Sequence, residues 1–244
     1  MILCIETSSH FCSVALANVN GEVVASMEVK ESLAHGRVLV PLIQKLVNQT
    51  GISQEQWNAV ALSAGPGSYT GLRMGSAVAK SMAMAHNIPI IPVCTLKLLY
   101  IDMLNIAQNT PLQIPNECLW APMMDARRME VYTAVYNTKS ETRIEPQAHI
   151  ASANTAQMLW NSNPVILGGN GAQKIAAFLE PYLPNPRSIL AVFPNALPKA
   201  QNMASLAATY YSKKQWVSCI QFEPQYLKPY YTQAQPTHYA TPQP

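Results

Sequence analysis

Charge is scarce in this chain. Asp, Glu, Lys and Arg make up 12% of its 244 residues, while 49% are hydrophobic. The charged share is about half the usual ~25%, and the apolar share can bury a sizeable core, which excludes a disordered polyampholyte. The surface must lean on Gln, Asn, Ser and Thr, or hide partly against a partner. No block of like charges occurs; Arg127-Arg128 is the nearest, and the net charge is +3. Holding nucleic acid by counterion release needs a denser basic face, so direct, tight binding of tRNA or DNA by this chain alone is not expected. There is no run of about 18 apolar residues, hence no expected membrane span. The start, Met1-Ile-Leu-Cys-Ile-Glu6, lacks a basic segment and is interrupted by Glu6, so it does not read as a signal peptide. The five cysteines (Cys4, Cys12, Cys94, Cys118, Cys219) include no CxxC pair and read as reduced residues of a cytoplasmic protein. The five histidines (His10, His35, His86, His149, His238) show no HExxH or other paired spacing, which leaves a dedicated metal site without support.

What is present is a regular succession of elements. Ile2–Ile5, Cys12–Ala17 and Glu22–Val29 read as three strands, with Asn20-Gly21 a strong hairpin signal. Val38, Leu39, Leu42, Ile43, Leu46 and Val47 recur at helical spacing, and Pro41 marks a start or a kink. A strand over Asn58–Ser63 leads through Ala64-Gly-Pro-Gly-Ser68 into a helix over Thr70–His86. A short strand, Pro89–Val93, precedes a helix over Leu96–Ala107 that Thr95 is expected to cap. The order β-β-β-α-β-α-β-α predicts a mixed sheet covered by helices, the half-unit of actin-like, sugar-kinase and Hsp70-like ATPases. Fold analogy alone gives no function. A proline-bearing linker, Asn109–Asn116, opens a second, smaller unit. Its expected strands are Leu119–Met124, Glu130–Tyr136, Glu141–Ala148 and Val165–Leu167. Its expected helices are Thr155–Trp160, Ala172–Leu179 and Lys199–Lys213, with Pro181–Pro198 mostly loop. The expected division is a first unit over 1–108, a second over 109–222 and an extended Pro/Gln-rich tail over 223–244.

Three local patterns could carry chemistry. Gly65-Pro-Gly-Ser-Tyr-Thr-Gly-Leu-Arg-Met-Gly75 joins a strand to a helix. Gly65, Gly67 and Ser68 could turn backbone N–H groups toward an anion at the helix N-terminus, although the spacing fits neither a Walker loop nor GxGxxG. The other reading is packing: Gly71, Gly75, Ala79 and Ala83 recur every four residues and leave a stripe on which a second helix can close in. The second pattern, Glu6-Thr7-Ser8, falls where actin-like ATPases hold their first phosphate loop; here the acid is Glu and the following glycine is absent. A turn in which Thr7 and Ser8 bond to backbone is the alternative. The third, Asp125-Ala-Arg-Arg-Met-Glu130, could be a catalytic cluster or a buried ion-pair network. The structural reading of Asp125, Arg127 and Glu130 is preferred, since no base and nucleophile pair is evident.

Together, the opening Ile-Leu-Cys-Ile-Glu-Thr-Ser, the Gly65–Gly75 stretch, Asp125-Ala-Arg-x-x-Glu-Val-Tyr132 and Glu223-Pro-x-Tyr-Leu227 resemble the TsaB (YeaZ) family, in the right order across about residues 1–230. The family is the dimerisation subunit of the bacterial complex that makes threonylcarbamoyladenosine at position 37 of tRNAs. The resemblance implies a non-catalytic accessory subunit of the actin-like ATPase fold with two related domains, the second reduced. It implies pairing with a TsaD-like catalytic paralogue, joined by a TsaE-like ATPase, with tRNA met through the complex only and a homodimer when the chain is alone. No cofactor is expected on this chain; ATP and metal belong to the partner subunits. The catalytic paralogue carries His-x-x-x-His, whose spacing puts two imidazoles on one helical face; Thr95 and Leu99 stand at those positions here. The expected partner interface is a helix bundle using Leu39, Leu42, Ile43, Leu46, Gly71, Met74, Gly75, Val78, Ala79 and Met82. The rival reading is an autonomous actin-like small-molecule kinase or ATPase, or a homologue of M22-type peptidases.

Overall fold

The computed structural model describes residues 1–30, 35–160, 163–183 and 188–228. Two five-stranded sheets share one topology. The first contains β1 (Ile2–Glu6), β2 (Cys12–Ala17), β3 (Val23–Val29), β4 (Ala59–Gly65) and β5 (Ile90–Cys94), in the order β3-β2-β1-β4-β5. The second contains β6 (Leu119–Asp125), β7 (Glu130–Asn137), β8 (Thr142–Ile150), β9 (Val165–Gly168) and β10 (Ile189–Phe193), in the order β8-β7-β6-β9-β10. In each, three strands meander antiparallel and two more join parallel to the first. The helices are α1 (His35–Thr50), α2 (Tyr69–His86), α3 (Thr95–Gln108), α4 (Ala153–Trp160), α5 (Ala172–Leu179) and α6 (Ala204–Ser212). The second half is reduced: α4 and α5 have 8 residues each, against 16 in α1 and 18 in α2.

Strands buried on both faces read as unbroken apolar runs rather than alternating ones, and β1, β2 and β4 are buried throughout. Leu3, Ile5, Val60 and Leu62 pack under Leu39, Leu42, Ile43 and Leu46 of α1 and Ala79 and Ala83 of α2. On the other face Ile2, Cys4, Ala61, Ile91 and Val93 meet Ala200, Met203 and Ala207. Helix α3 crosses to the second sheet, where Leu96, Leu99, Tyr100 and Met103 pack on Trp120, Ala134, Tyr136 and Ile166. Each half therefore lends its last helical segment to the space between the sheets. Buried Asp102 on α3 secures the crossing: it accepts from Leu197 N and Lys199 Nζ, both at 2.9 Å, and from the Asn202 side chain at 3.1 Å.

The chain then returns to the first sheet. Val217 bridges Ile90 on β5, and Phe222 is buried in the core under α1. The segment from Ala200 to Phe222, expected with the second unit, thus rests largely on the first. Residues 229–244 of the expected tail lie outside the described residues.

Several elements differ from expectation. Ile189–Phe193 is an edge strand, not loop, paired parallel to β9. The last helix begins as a 3-10 turn over Ala200–Met203 before α6. Helix α1 runs through Pro41 instead of starting there. Thr95 is the first helical residue, not the cap, and its hydroxyl is buried without a hydrogen bond.

Candidate functional site

The glycine-rich stretch and the first turn, read separately in the sequence, form one structure. Strand β1 lies parallel to β4, so the turn after β1 meets the loop after β4. Ser68 N donates to Ser8 O at 2.7 Å, and Thr7 Oγ1 donates to Gly71 O at 2.8 Å. Ser68 caps α2, its hydroxyl accepting from Gly71 N at 3.3 Å. The glycines are there because nothing larger fits. A Cβ on Gly71 would fall inside the Thr7 carbonyl oxygen, one on Gly75 against the Thr7 hydroxyl, and one on Gly67 at 2.5 Å from Ser8 O. Gly65 has a φ of +123°, and a Cβ there would strike the backbone of Gln225.

This geometry bears on two expectations. Of the backbone donors an anion at the α2 N-terminus would need, those of Ser68 and Gly71 are engaged by Ser8 and by Ser68 itself, which favours the packing reading. The stripe Gly71, Gly75, Ala79, Ala83 faces this chain's own first turn and sheet, not a second molecule. Leu39, Leu42, Ile43 and Leu46 are likewise buried beneath α1. These residues fill the gap between helix and sheet, so none can face a partner while the unit is folded. Met74, Val78 and Met82 are only half-buried, and Met74 lies against Gly36 at the start of α1. The outward faces show Val40 at 51% and Met84 at 67% exposure, with Ala77 and Ser81 exposed between them on α2.

Glu6 is fully buried at the end of β1. Its Oε1 accepts from Ser8 N at 2.6 Å and from the Ser8 hydroxyl. Oε2 is buried without a hydrogen bond, as is the hydroxyl of Ser63 on neighbouring β4. Burial pushes the Glu6 carboxyl up to about 6; the bonds from Ser8 and the nearby Ser63 hydroxyl pull the other way and moderate the rise.

The second sheet repeats the arrangement in different chemistry. Asp125 N donates to the Asn170 side chain at 2.9 Å, and Gly171 N to Met123 O at 3.1 Å. Asp125 Oδ1 accepts from Arg127 N at 2.8 Å and pairs with Lys174, whose ammonium also reaches the carbonyls of Arg128 (2.8 Å) and Glu130 (2.9 Å). Glu130 pairs with Lys228. Arg127 and Arg128 both adopt positive φ, +68° and +49°, and point outward. The expected buried network of Asp125, Arg127 and Glu130 is thus a partly exposed one. The acids pair with lysines from α5 and the C-terminal segment, while Arg127 contributes only its backbone N–H to Asp125. Lys174, Lys228 and Asn170 had no local signature.

Thr95 and Leu99, one turn apart on α3, are 0% and 1% exposed. Leu99 Cδ2 stands where it would lie 2.7 Å from a Cβ on Gly169. Leu99 packs between the halves, and Thr95 is buried with its hydroxyl unpartnered. Among the described residues no group of three or more His, Cys, Asp or Glu side chains could hold a metal ion, and no helix is long and apolar enough to cross a membrane.

Two sheets of one strand order, flanked by helices, with turn and glycine loop facing each other at the strand ends, define the actin-like ATPase fold. The family model "TsaD: tRNA N6-adenosine threonylcarbamoyltransferase" matches residues 24–215. A protein from Haemophilus influenzae named tRNA threonylcarbamoyladenosine biosynthesis protein TsaB is 27% identical over 237 residues, 93% of each chain. Its Escherichia coli namesake is 36% identical over 135 residues, 55% of this chain and 54% of the relative. The solved structure of YeaZ from Pseudomonas aeruginosa superposes with a TM-score of 0.74 at 26% identity, covering 93% of this chain and 99% of the other. A tRNA N6-adenosine threonylcarbamoyltransferase from Streptococcus sanguinis matches over only 32% of its length. The chain belongs to the tRNA N6-adenosine threonylcarbamoyltransferase family, and within it to the TsaB (YeaZ) group.

Proposed function

We propose that this chain is a non-catalytic scaffold subunit that binds a TsaD-like catalytic paralogue and supports threonylcarbamoyl transfer to N6 of adenosine 37 in tRNAs reading ANN codons. The observation that carries this reading is the state of Thr95 and Leu99. Where the resemblance implies an imidazole pair in the paralogue, this chain has a buried hydroxyl and an isobutyl group that packs between its own halves. Neither can ligate a metal as imidazole does. The loops that would hold a nucleotide in a working actin-like enzyme are engaged with each other, and the acid there is a buried, poorly neutralised Glu6, which disfavours the kinase or ATPase reading. ATP and metal then belong to the catalytic subunit and to a TsaE-like ATPase, and tRNA is met through the complex.

The partner surface in this reading is the outward side of α1 and α2: Val40, Ala77, Ser81 and Met84, with Met74, Val78 and Met82 at its base. Methionine adapts to an imperfect neighbour. When the partner is absent, the same face can pair with a second copy, since a two-fold interface uses one patch twice. The test is reconstitution. Transfer to tRNA is expected only when the catalytic subunit is present, and to fall sharply when this chain is withheld. Transfer by this chain alone would overturn the proposal.

A further inference from the structure

In open α/β sheets ligands are held in the crevice beyond the C-terminal ends of the strands. Here the chain's own C-terminal segment lies at that end of β4. Gln225 N donates to Ala64 O at 2.7 Å, and the Gln225 carbonyl rests on Gly65, leaving no room for a Cβ. The ring of Tyr226 packs on Tyr69 in the first turn of α2, centroids 5.1 Å apart, and Arg73 stands over the same Tyr69 ring at 5.3 Å. Two residues on, Lys228 pairs with Glu130 on the second sheet. Residues 223–228 thus run from the glycine loop of one half to the first hairpin of the other.

The two ends of this segment are held unequally. Upstream, Phe222 is 2% exposed in the first core and Val217 is bridged to β5. Downstream, among the described residues, the Gln225 backbone bond to Ala64 is followed by a tyrosine that is 45% exposed and an ion pair with both side chains partly exposed, 33% for Lys228 and 19% for Glu130. Part-exposed ion pairs are weak and sensitive to salt. A buried anchor at Phe222 and a part-exposed ion pair at Lys228 describe a latch. We propose that residues 223–228 are a releasable latch that holds the Asp125–Glu130 hairpin to the Gly65–Ser68 loop, and that losing the Lys228–Glu130 pair opens the crevice between the two halves.

The chain carries its own reporter. Cys94 ends β5 beside Gly65 in the ladder, and it contacts Tyr136 of β7 in the other half. Its labelling by a thiol reagent, read peptide by peptide in the full chain, follows opening of that seam. Backbone hydrogen exchange of residues 125–132 follows release of the hairpin. Lys228→Glu should raise both rates by at least about threefold, the scale of a part-exposed ion pair. Combining Lys228→Glu with Glu130→Lys should return both toward the parent, because the swap restores opposite charges. Unchanged Cys94 labelling and unchanged hairpin exchange in Lys228→Glu would overturn the latch. So would a rise that the swap does not reverse.

Discussion

The two halves use one topology and close it with opposite chemistry. In the first, the turn after β1 is clasped to the loop and first turn of α2 by a threonine hydroxyl, backbone bonds and glycines pressed against oxygens of Thr7 and Ser8, with Thr7, Ser8 and Gly71 buried and Ser68 at the surface. In the second, the turn after β6 is clasped to the loop before α5 by Lys174, Asp125 and an asparagine side chain, part of it in water. The buried clasp depends on shape and tolerates no added atoms. The exposed one depends on charge and must weaken with salt. Strand order therefore decides where a clasp forms, and local composition decides what it is made of.

The largest effect should come from adding one methyl group to the buried clasp. Gly71→Ala places a Cβ inside the Thr7 carbonyl, so backbone must move. Overpacking of this kind costs about 3 kcal/mol, which lowers Tm by roughly 6–12 °C for a chain of this size. Thermal unfolding followed by circular dichroism measures it; a Tm within a degree or so of the parent would mean that the two segments are not in contact.

Next in size is the pH response of Glu6. Its folded-state pKa is raised from 4.5 to about 6, so the native state binds the proton more tightly than the unfolded chain. The stability contributed by Glu6 is then greatest below pH 4.5, falls as pH rises through the window to about 6, and stays lower above it. At about 1.4 kcal/mol per unit, the loss is on the order of 2 kcal/mol. Glu6→Gln keeps the acceptor for Ser8 and offers N–H groups to the Ser63 hydroxyl. Denaturant unfolding should show the variant gaining on the parent between pH 4.5 and 6.5; a difference that is flat with pH would place the ionisation elsewhere.

The smallest effects distinguish the clasps by salt. Thr7→Val removes the donor to Gly71 O, and Lys174→Met removes the ammonium from Asp125. Each should cost about 1 kcal/mol at low salt. Raising ionic strength to 1 M, where the Debye length is about 3 Å, should shrink the Lys174→Met penalty and leave that of Thr7→Val unchanged. Equal salt responses would erase the chemical difference between the halves.

Much of this architecture could be read from the chain. Apolar runs and turn signals such as Asn20-Gly21 placed nine of the ten strands among the described residues near their positions. The tenth, Ile189–Phe193, hid among prolines, and five apolar residues are too few to separate edge strand from loop. The small-residue stripe shows that something must approach α2 closely, but spacing along a helix cannot say whether the neighbour belongs to the same chain. That depended on β1 lying beside β4, a long-range pairing. Lys174 and Lys228 were invisible for a similar reason. They are isolated lysines, and Lys174 meets Asp125 across 49 positions of chain, with no local pattern to mark the pair.

The inward faces of α1 and α2 belong to the fold, and their outward faces are the proposed partner surface. Titrating the TsaD-like subunit with Val40→Lys/Met84→Lys, beside the parent, tests that division most directly. Both side chains are exposed, so circular dichroism and Tm should match the parent while affinity falls by at least about tenfold, a loss of roughly 1.4 kcal/mol. Unchanged affinity with an intact fold would contradict it and move the interface off this helix pair.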